Sequence, residues 1–334
     1  MDTLLAHLLE AASRAPSAHN TQPWRLRWQE NELQVLVAEQ RMLRVADPGA
    51  LNTLHALGAM LENLLLTLGQ LGFEGEYSVV EHWNLTQPVI MLRWHARPGF
   101  KPDPRLYRMI PIRRTSRVAY SPELILPRIL EEIIAAATCP AKLYLLTDPA
   151  AIDEIRSLAA ASGAEALQNQ SYAAELYRWM RFSRRDPGWY RDGLNAECMG
   201  WNRLQSALVQ KLLVPWIVSR LAKFRWSKWI YTDVEEQAPL APALCLLATR
   251  DSTLAGHINA GRDLQRVWLT AAVHGLVTHP VSAAVDDPQS RNRVFKLFGV
   301  CPGEVHVNLF RLGKSSKTAR SARLPADELL EPYA

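Results

Sequence analysis

Apolar residues at Leu57, Leu61, Leu64, Leu65 and Leu68 recur at helical spacing and predict a buried helix running through Gly58 to Gly72. The stretch from Gly261 to Gly275 repeats it. Five of its fifteen positions are identical: Gly58/Gly261, Leu61/Leu264, Leu66/Leu269, Thr67/Thr270 and Gly72/Gly275. Glycines bounding such segments suit a C-terminal stop. An extended stretch is expected after each, Tyr77 to Glu81 and Val277 to Val285, and each half holds a late strand, Val89 to Trp94 and Val305 to Phe310. Leu4 to Arg14 and Leu124 to Ala137 are each predicted as a helix leading through a Pro-containing turn into a strand, Trp24 to Trp28 and Lys142 to Leu146. The Pro-rich stretch from Pro98 to Pro111 is a natural boundary. The pattern predicts an α+β, internally duplicated fold, with residues 1–100 as the first half and 101–178 plus 238–334 as the second. Residues 179–237 have no counterpart. They are aromatic and basic, and are expected to form a mostly helical lid insertion over a site.

Composition narrows the class. With 334 residues, 48% hydrophobic and 21% charged, the chain has the make-up of a soluble globular protein with a core that needs no disulfide staples. Cys139, Cys198, Cys245 and Cys301 form no Cys-x-x-Cys pair, which argues against a structural zinc site and for a reducing compartment. No signal peptide is evident and no apolar run approaches the roughly 18 residues that span a bilayer, so a cytoplasmic location is expected. The net charge of +5 is mild, and the basic residues are not arranged as in a nucleic-acid motif, so no nucleic-acid partner is expected. Leu212 to Tyr231 is Trp-rich and cationic with no acidic residue. It has the make-up of an interfacial helix in peripheral contact with a membrane, or of a helix pair packed on the site.

Two constellations carry chemistry. Ala15-Pro16-Ser17-Ala18-His19-Asn20-Thr21-Gln22-Pro23-Trp24 is poor core material. Its prolines fix φ and leave the preceding residues extended, holding backbone amides, a hydroxyl and a carboxamide ready for a flat heterocycle. In Arg113-Arg114-Thr115-Ser116-Arg117, two arginines flank a hydroxyl at alternating positions of an expected strand, so that Arg113, Thr115 and Arg117 can converge on a phosphate. No Ser-His-Asp set, metal cluster or Gly-rich phosphate loop is visible, which leaves hydrolase and nucleotidyl-transfer chemistry with little support.

The first string resembles the flavin-contacting signature of the nitroreductase family, and the second resembles that family's phosphate grip, with Thr115 in place of serine. His-Asn-Thr-Gln-Pro-Trp together with Arg-Arg-Thr-x-Arg resembles the Acg-like two-domain subgroup. The resemblance implies FMN bound by Pro16, Ser17, Ala18, Asn20 and Gln22 and by Arg113, Thr115 and Arg117. It further implies Pro280, Ser282 and Ala283 beside the flavin ring, and Arg320 and Arg323 closing on its phosphate. The acidic side chain usual at the Ser282 position is absent. The first half keeps the loop and the second half keeps the grip, so one chain can imitate the family's dimer as a pseudo-dimer, alone or in a further homo-oligomer. The implied activity is that of an FMN-dependent oxidoreductase passing hydride through flavin N5 to or from a conjugated or aromatic small molecule. NAD(P)H is the candidate electron donor, and no acid–base residue of the protein is required. The alternative is a non-catalytic FMN-binding or storage protein whose lid blocks nicotinamide access.

Overall fold

The computed structural model describes residues 3–29, 31–99, 103–138, 140–223, 241–315 and 319–331. The leucine periodicity forms a helix longer than its sequence signature. α1 is Thr3–Ser13 and α2 is Leu51–Gln70, with Leu57, Leu61, Leu64 and Leu68 fully buried. The Asp47 carboxylate starts α2 by accepting from the backbone N–H of Asn52 at 3.1 Å and of Thr53 at 3.0 Å. Gly72, with φ of +85°, ends it.

The first half also contains β1 (Trp24–Gln29), β2 (Glu32–Val37), β3 (Phe73–Val79) and β4 (Ile90–Ala96), in an antiparallel sheet of order β1-β2-β4-β3. The boundary region holds a short helix, α3 (Pro104–Met109), capped by Asp103. The second half holds α4 (Pro127–Ala135), β5 (Ala141–Leu146), α5 (Pro149–Ala166) and α6 (Gln170–Trp179), and is interrupted by the insertion with β6 (Met180–Arg181), β7 (Leu194–Asn195), α7 (Arg203–Leu212) and α8 (Pro215–Lys223). It continues with β8 (Ala243–Thr249), α9 (Leu254–Val273), β9 (Val277–Pro280), α10 (Ala283–Asp286), α11 (Pro288–Phe298) and β10 (Val305–Gly313). Its antiparallel sheet runs β5-β8-β10-β9, the same succession of first, second, fourth and third strand as in the first half.

α2 and α9 cross at Gly58 and Gly261, which sit inside the helices rather than at their starts. A Cβ on Gly58 would lie 1.9 Å from the carbonyl oxygen of Ile258, so only glycine lets the backbones approach this closely. Around the crossing Glu62, 2% exposed, pairs with Arg262 at 3.0 Å and Arg266 at 2.8 Å, and Gln265 donates to Asn63 at 2.7 Å. The tail then returns to the first half. Leu324 and Leu329 join its core, and the Glu331 N–H donates to the Leu26 carbonyl at 2.8 Å.

Three local expectations are corrected. Val277 to Val285 is extended only to Pro280, and Ser282 is already helical (φ −65°, ψ −34°) ahead of α10. Arg113 to Arg117 is not a strand and makes only an isolated bridge, Thr115 to Thr278. In the region expected to be mostly helical, residues 182–193 run as turns and bends. Residues 224–237 of that region, and 224–231 of the cationic stretch, lie outside the described residues, as does Cys139. Among the described residues no helix is long and apolar enough to cross a membrane, and Cys198, Cys245 and Cys301 are free thiols.

Candidate functional site

Three non-glycine residues of the Ala15–Trp24 loop, His19, Asn20 and Gln22, have φ of +48°, +55° and +54°. That region is sparsely populated by L-residues, and each such conformation costs about 1–3 kcal/mol unless its surroundings impose it. Here they do. Ser17 Oγ accepts from Gln22 N–H at 2.9 Å. The Asn20 amide donates to the carbonyls of Ala322 at 2.9 Å and Gly193 at 3.2 Å, while its oxygen accepts from Arg323 at 2.8 Å. The Gln22 amide donates to the Arg191 carbonyl, and its oxygen accepts from Leu324 N–H, both at 2.9 Å. These bonds override the extended backbone that Pro23 would otherwise favour at Gln22. Segments 191–193 and 322–324 thus clamp the loop from both sides.

The loop borders a cavity of about 340 Å³ between the halves. Pro16, Ser17, Ala18, Asn20, Arg113, Thr115, Arg117, Pro280, Ser282, Ala283, Arg320 and Arg323 all line it. Gln22 does not: it is fully buried behind the loop and holds its shape. Six arginines line the cavity, Arg14 and Arg114 joining the four anticipated, against one carboxylate, Asp286, among the described residues.

The electrostatics are those of a cationic pocket. Arg113 is 7% exposed, and its guanidinium carbon lies 5.5 Å from the Trp268 ring centre. Burial, and then the Arg114 charge, push Arg113 down to about 10. Burial, and then Arg113 and Arg14, push Arg323 down to about 9. Burial also lowers Arg117. The Nε atoms of Arg113 and Arg323 and a terminal nitrogen of Arg117 are buried with no hydrogen-bond partner among the described residues. Unpaired buried charges are costly, and an anion on these donors relieves them.

The neutral groups follow from the same field. Burial, and then the Arg117 charge, lower His19 to about 4. Burial, and then Arg311 and Arg117, hold His279 well below the usual imidazole range. Asp286 is raised to about 6, first by desolvation and then by Asp47, against hydrogen bonding from Ser282 and the Arg291 charge. Asp286 and His55 were not anticipated as site residues. Asp286 stands one helical turn after Ser282, a spacing that puts both on one face. His55 shares α2 with the matched glycine, but only the helix crossing brings it to the cavity.

The remaining wall is largely apolar: Met199, Trp201, Val209 and Leu213 come from the insertion, and Tyr172 and Leu176 from α6 just before it. The hydrophobic cluster behind it begins at Leu167, upstream of residue 179. Asp192 ties this wall to the first half, pairing with Arg41 at 3.0 Å and Arg181 at 2.6 Å. The Glu175 carboxylate also accepts from the N–H groups of Arg44, Val45 and Ala46.

No family model matches the chain. It is similar to an uncharacterized protein of Mycobacterium tuberculosis (strain CDC 1551 / Oshkosh), 25% identical over 277 residues that make up 82% of this chain and 38% of that one. Among solved structures it is similar to the FMN-dependent nitroreductase of Mycobacterium smegmatis in complex with NADPH, at 16% identity over 69% of this chain and 98% of that one, with a TM-score of 0.40. A further relative is the "Putative NAD(P)H nitroreductase" of the same Mycobacterium tuberculosis strain, 29% identical over 180 residues, or 52% of this chain and 49% of the relative. The chain therefore spans less than half the length of the curated relatives it matches.

Proposed function

We propose that the protein is an FMN-dependent oxidoreductase of the nitroreductase type, with one flavin site per chain between two halves of a duplicated α+β unit. The observation that carries this reading is the convergence of Arg113, Arg117 and Arg323, each with a buried donor lacking a partner among the described residues, on the cavity bordered by the strained Ser17–Gln22 loop. The relative bearing the nitroreductase name supports it. The equal strand succession of the two sheets and the symmetric glycine crossing support the duplication.

The residues present fit FMN. Arg113, Arg117 and Arg323, with Arg320 and the Thr115 hydroxyl, hold its phosphate. The loop through Ser17 and Asn20 would face its polar edge, and Pro280, Ser282 and Ala283, which line the same cavity, would stand beside the ring. Bound FMN supplies hydride chemistry that no side chain provides. The chain orients the ring, shields it with the insertion's apolar wall, and keeps His19 and His279 neutral. The substrate is a conjugated or aromatic small molecule, with NAD(P)H as donor.

Storage of FMN without turnover is the second reading, favoured by the contacts of Asp192 in the insertion and of Glu175 on the preceding α6 that fix the wall over the site. Anaerobic addition of NADPH and NADH to the FMN-loaded protein separates the two. Bleaching of the flavin spectrum supports the reductase, and a spectrum that stays oxidised with both favours storage. Failure to load with FMN would remove both readings.

A further inference from the structure

The outer surface of the insertion belongs to neither the cavity nor the core. In α7, Leu204 is 83% exposed and Leu208 is 49% exposed, and in α8 Trp216 is 55% exposed. Leu204, Leu208 and Lys211 follow one another at i, i+4 and i+7, and so do Trp216, Arg220 and Lys223. That spacing sets each trio on one side of its helix. Lys211, Arg220 and Lys223 are exposed, and the Arg220 guanidinium carbon lies 5.7 Å from the Trp216 ring centre. No acidic residue occurs from Cys198 to Lys223, whereas Arg203, Lys211, Arg220 and Lys223 do.

We propose that the outer face of α7 and α8 docks the protein on the surface of an anionic lipid bilayer. Exposed apolar side chains interleaved with cations and an amphipathic Trp match an interface of hydrocarbon beneath negative headgroups. Long cationic side chains reach the headgroups while their stems lie on apolar surface. The charge argues against a second copy of the chain, because a two-fold contact sets the same patch against itself and brings these cations together. Among the described residues no helix is long and apolar enough to cross a bilayer, so the proposal lays α7 and α8 on its surface. Val209 on the inward side of α7 and Leu213 just after it line the cavity, so the docking face is the back of a cavity wall.

The test is co-sedimentation of the whole protein with vesicles, independent of flavin. Phosphatidylglycerol–phosphatidylcholine vesicles should pellet it at low salt, with at least tenfold weaker binding to pure phosphatidylcholine and a steep loss as salt rises. The variant Leu204→Gln/Leu208→Gln/Trp216→Gln, which keeps the charge, should bind at least tenfold more weakly. So should Lys211→Gln/Arg220→Gln/Lys223→Gln, which keeps the apolar groups. Circular dichroism and melting of each exposed-site variant verify that it folds. No pelleting at low salt, or pelleting unchanged in the first variant, overturns the proposal. So does a vesicle-free dimer in sedimentation velocity that the first variant abolishes, since that assigns the face to a second copy.

Discussion

Gly58 and Gly261 oppose each other where the two longest helices cross. A Cβ on the first would stand 1.9 Å from the carbonyl oxygen of Ile258, and one on the second 2.2 Å from that of His55. The obstacle is backbone on both sides, so no side-chain rotation relieves it. Gly58→Ala and Gly261→Ala should each destabilise the fold by about 3 kcal/mol, the upper range for overpacking. Urea unfolding midpoints check this, and a change within about 0.5 kcal/mol, as at ordinary surface sites, would contradict it. The crossing also carries His55, Ala56, Leu264 and Trp268 to the cavity, so ligand affinity should fall along with stability.

Arg323 and Arg113 should behave oppositely with and without an anion. Replacing either by Met removes a buried, incompletely partnered charge. For Arg113 the ligand-free protein should therefore be unchanged or stabilised, by up to about 4 kcal/mol, whereas for Arg323 the lost bond to Asn20 offsets part of that gain. FMN binding should instead weaken by about 1.5–3 kcal/mol for each charge-assisted bond lost, roughly ten- to 150-fold. Melting with and without FMN tests the sign change; a loss of stability in both states would assign these arginines a structural role.

Asp192 is the joint between insertion and loop. Its side chain is 11% exposed and its partners Arg41 and Arg181 are 14% and 12% exposed, so water screens the trio little. Asp192→Ala removes the carboxylate that Arg41 and Arg181 share, leaving Arg181 with Asp186 at 3.5 Å, and should cost about 3 kcal/mol. Limited proteolysis should then cut within residues 182–193 sooner than in the wild type. Equal cleavage rates would mean that the wall is held without this joint.

Acid should weaken the fold through its buried histidines. His55 is 5% exposed, and burial, with the nearby His257 and His306, lowers it from 6.5 to about 3. It stays neutral in the folded protein, whereas the unfolded chain takes up a proton below pH 6.5. Its contribution is therefore fully present above pH 6.5 and is lost as pH falls toward 3. His306, lowered to about 4 chiefly by burial, acts in the same direction. Asp286 has the opposite sign, since a carboxyl raised from 3.8 to about 6 favours the fold below pH 3.8 and loses that effect as pH rises through 6. His55→Asn should flatten the fall of the melting temperature between pH 6.5 and 4. An unchanged slope would show that another group sets it.

The sequence exposed the site's ingredients better than the fold's joints. Ser17, Asn20 and Arg113 could be singled out because hydroxyls, amides and guanidinium groups beside prolines have few roles in a core. Strand β8 escaped notice because all seven of its positions are buried, leaving no alternation to read. Gly58 and Gly261 stood out as ends of a matched segment, but their use lies in a contact between distant helices that no local pattern records. The same holds for Gln22: its carboxamide is taken up by Arg191 and Leu324, both remote in the chain, and so it supports the loop from behind. The hydrophobic cluster behind the apolar wall begins at Leu167, which clusters with Leu194, Leu213 and Val218, again a nonlocal fact.

The most direct test of the central claim is a calorimetric titration of flavin-stripped protein with FMN, run beside the Arg113→Ala/Arg117→Ala double variant. One FMN per chain, with binding lost or severely weakened in the variant, is the predicted result. No binding, two FMN per chain, or equal affinity in the variant would contradict a single flavin site between the two halves.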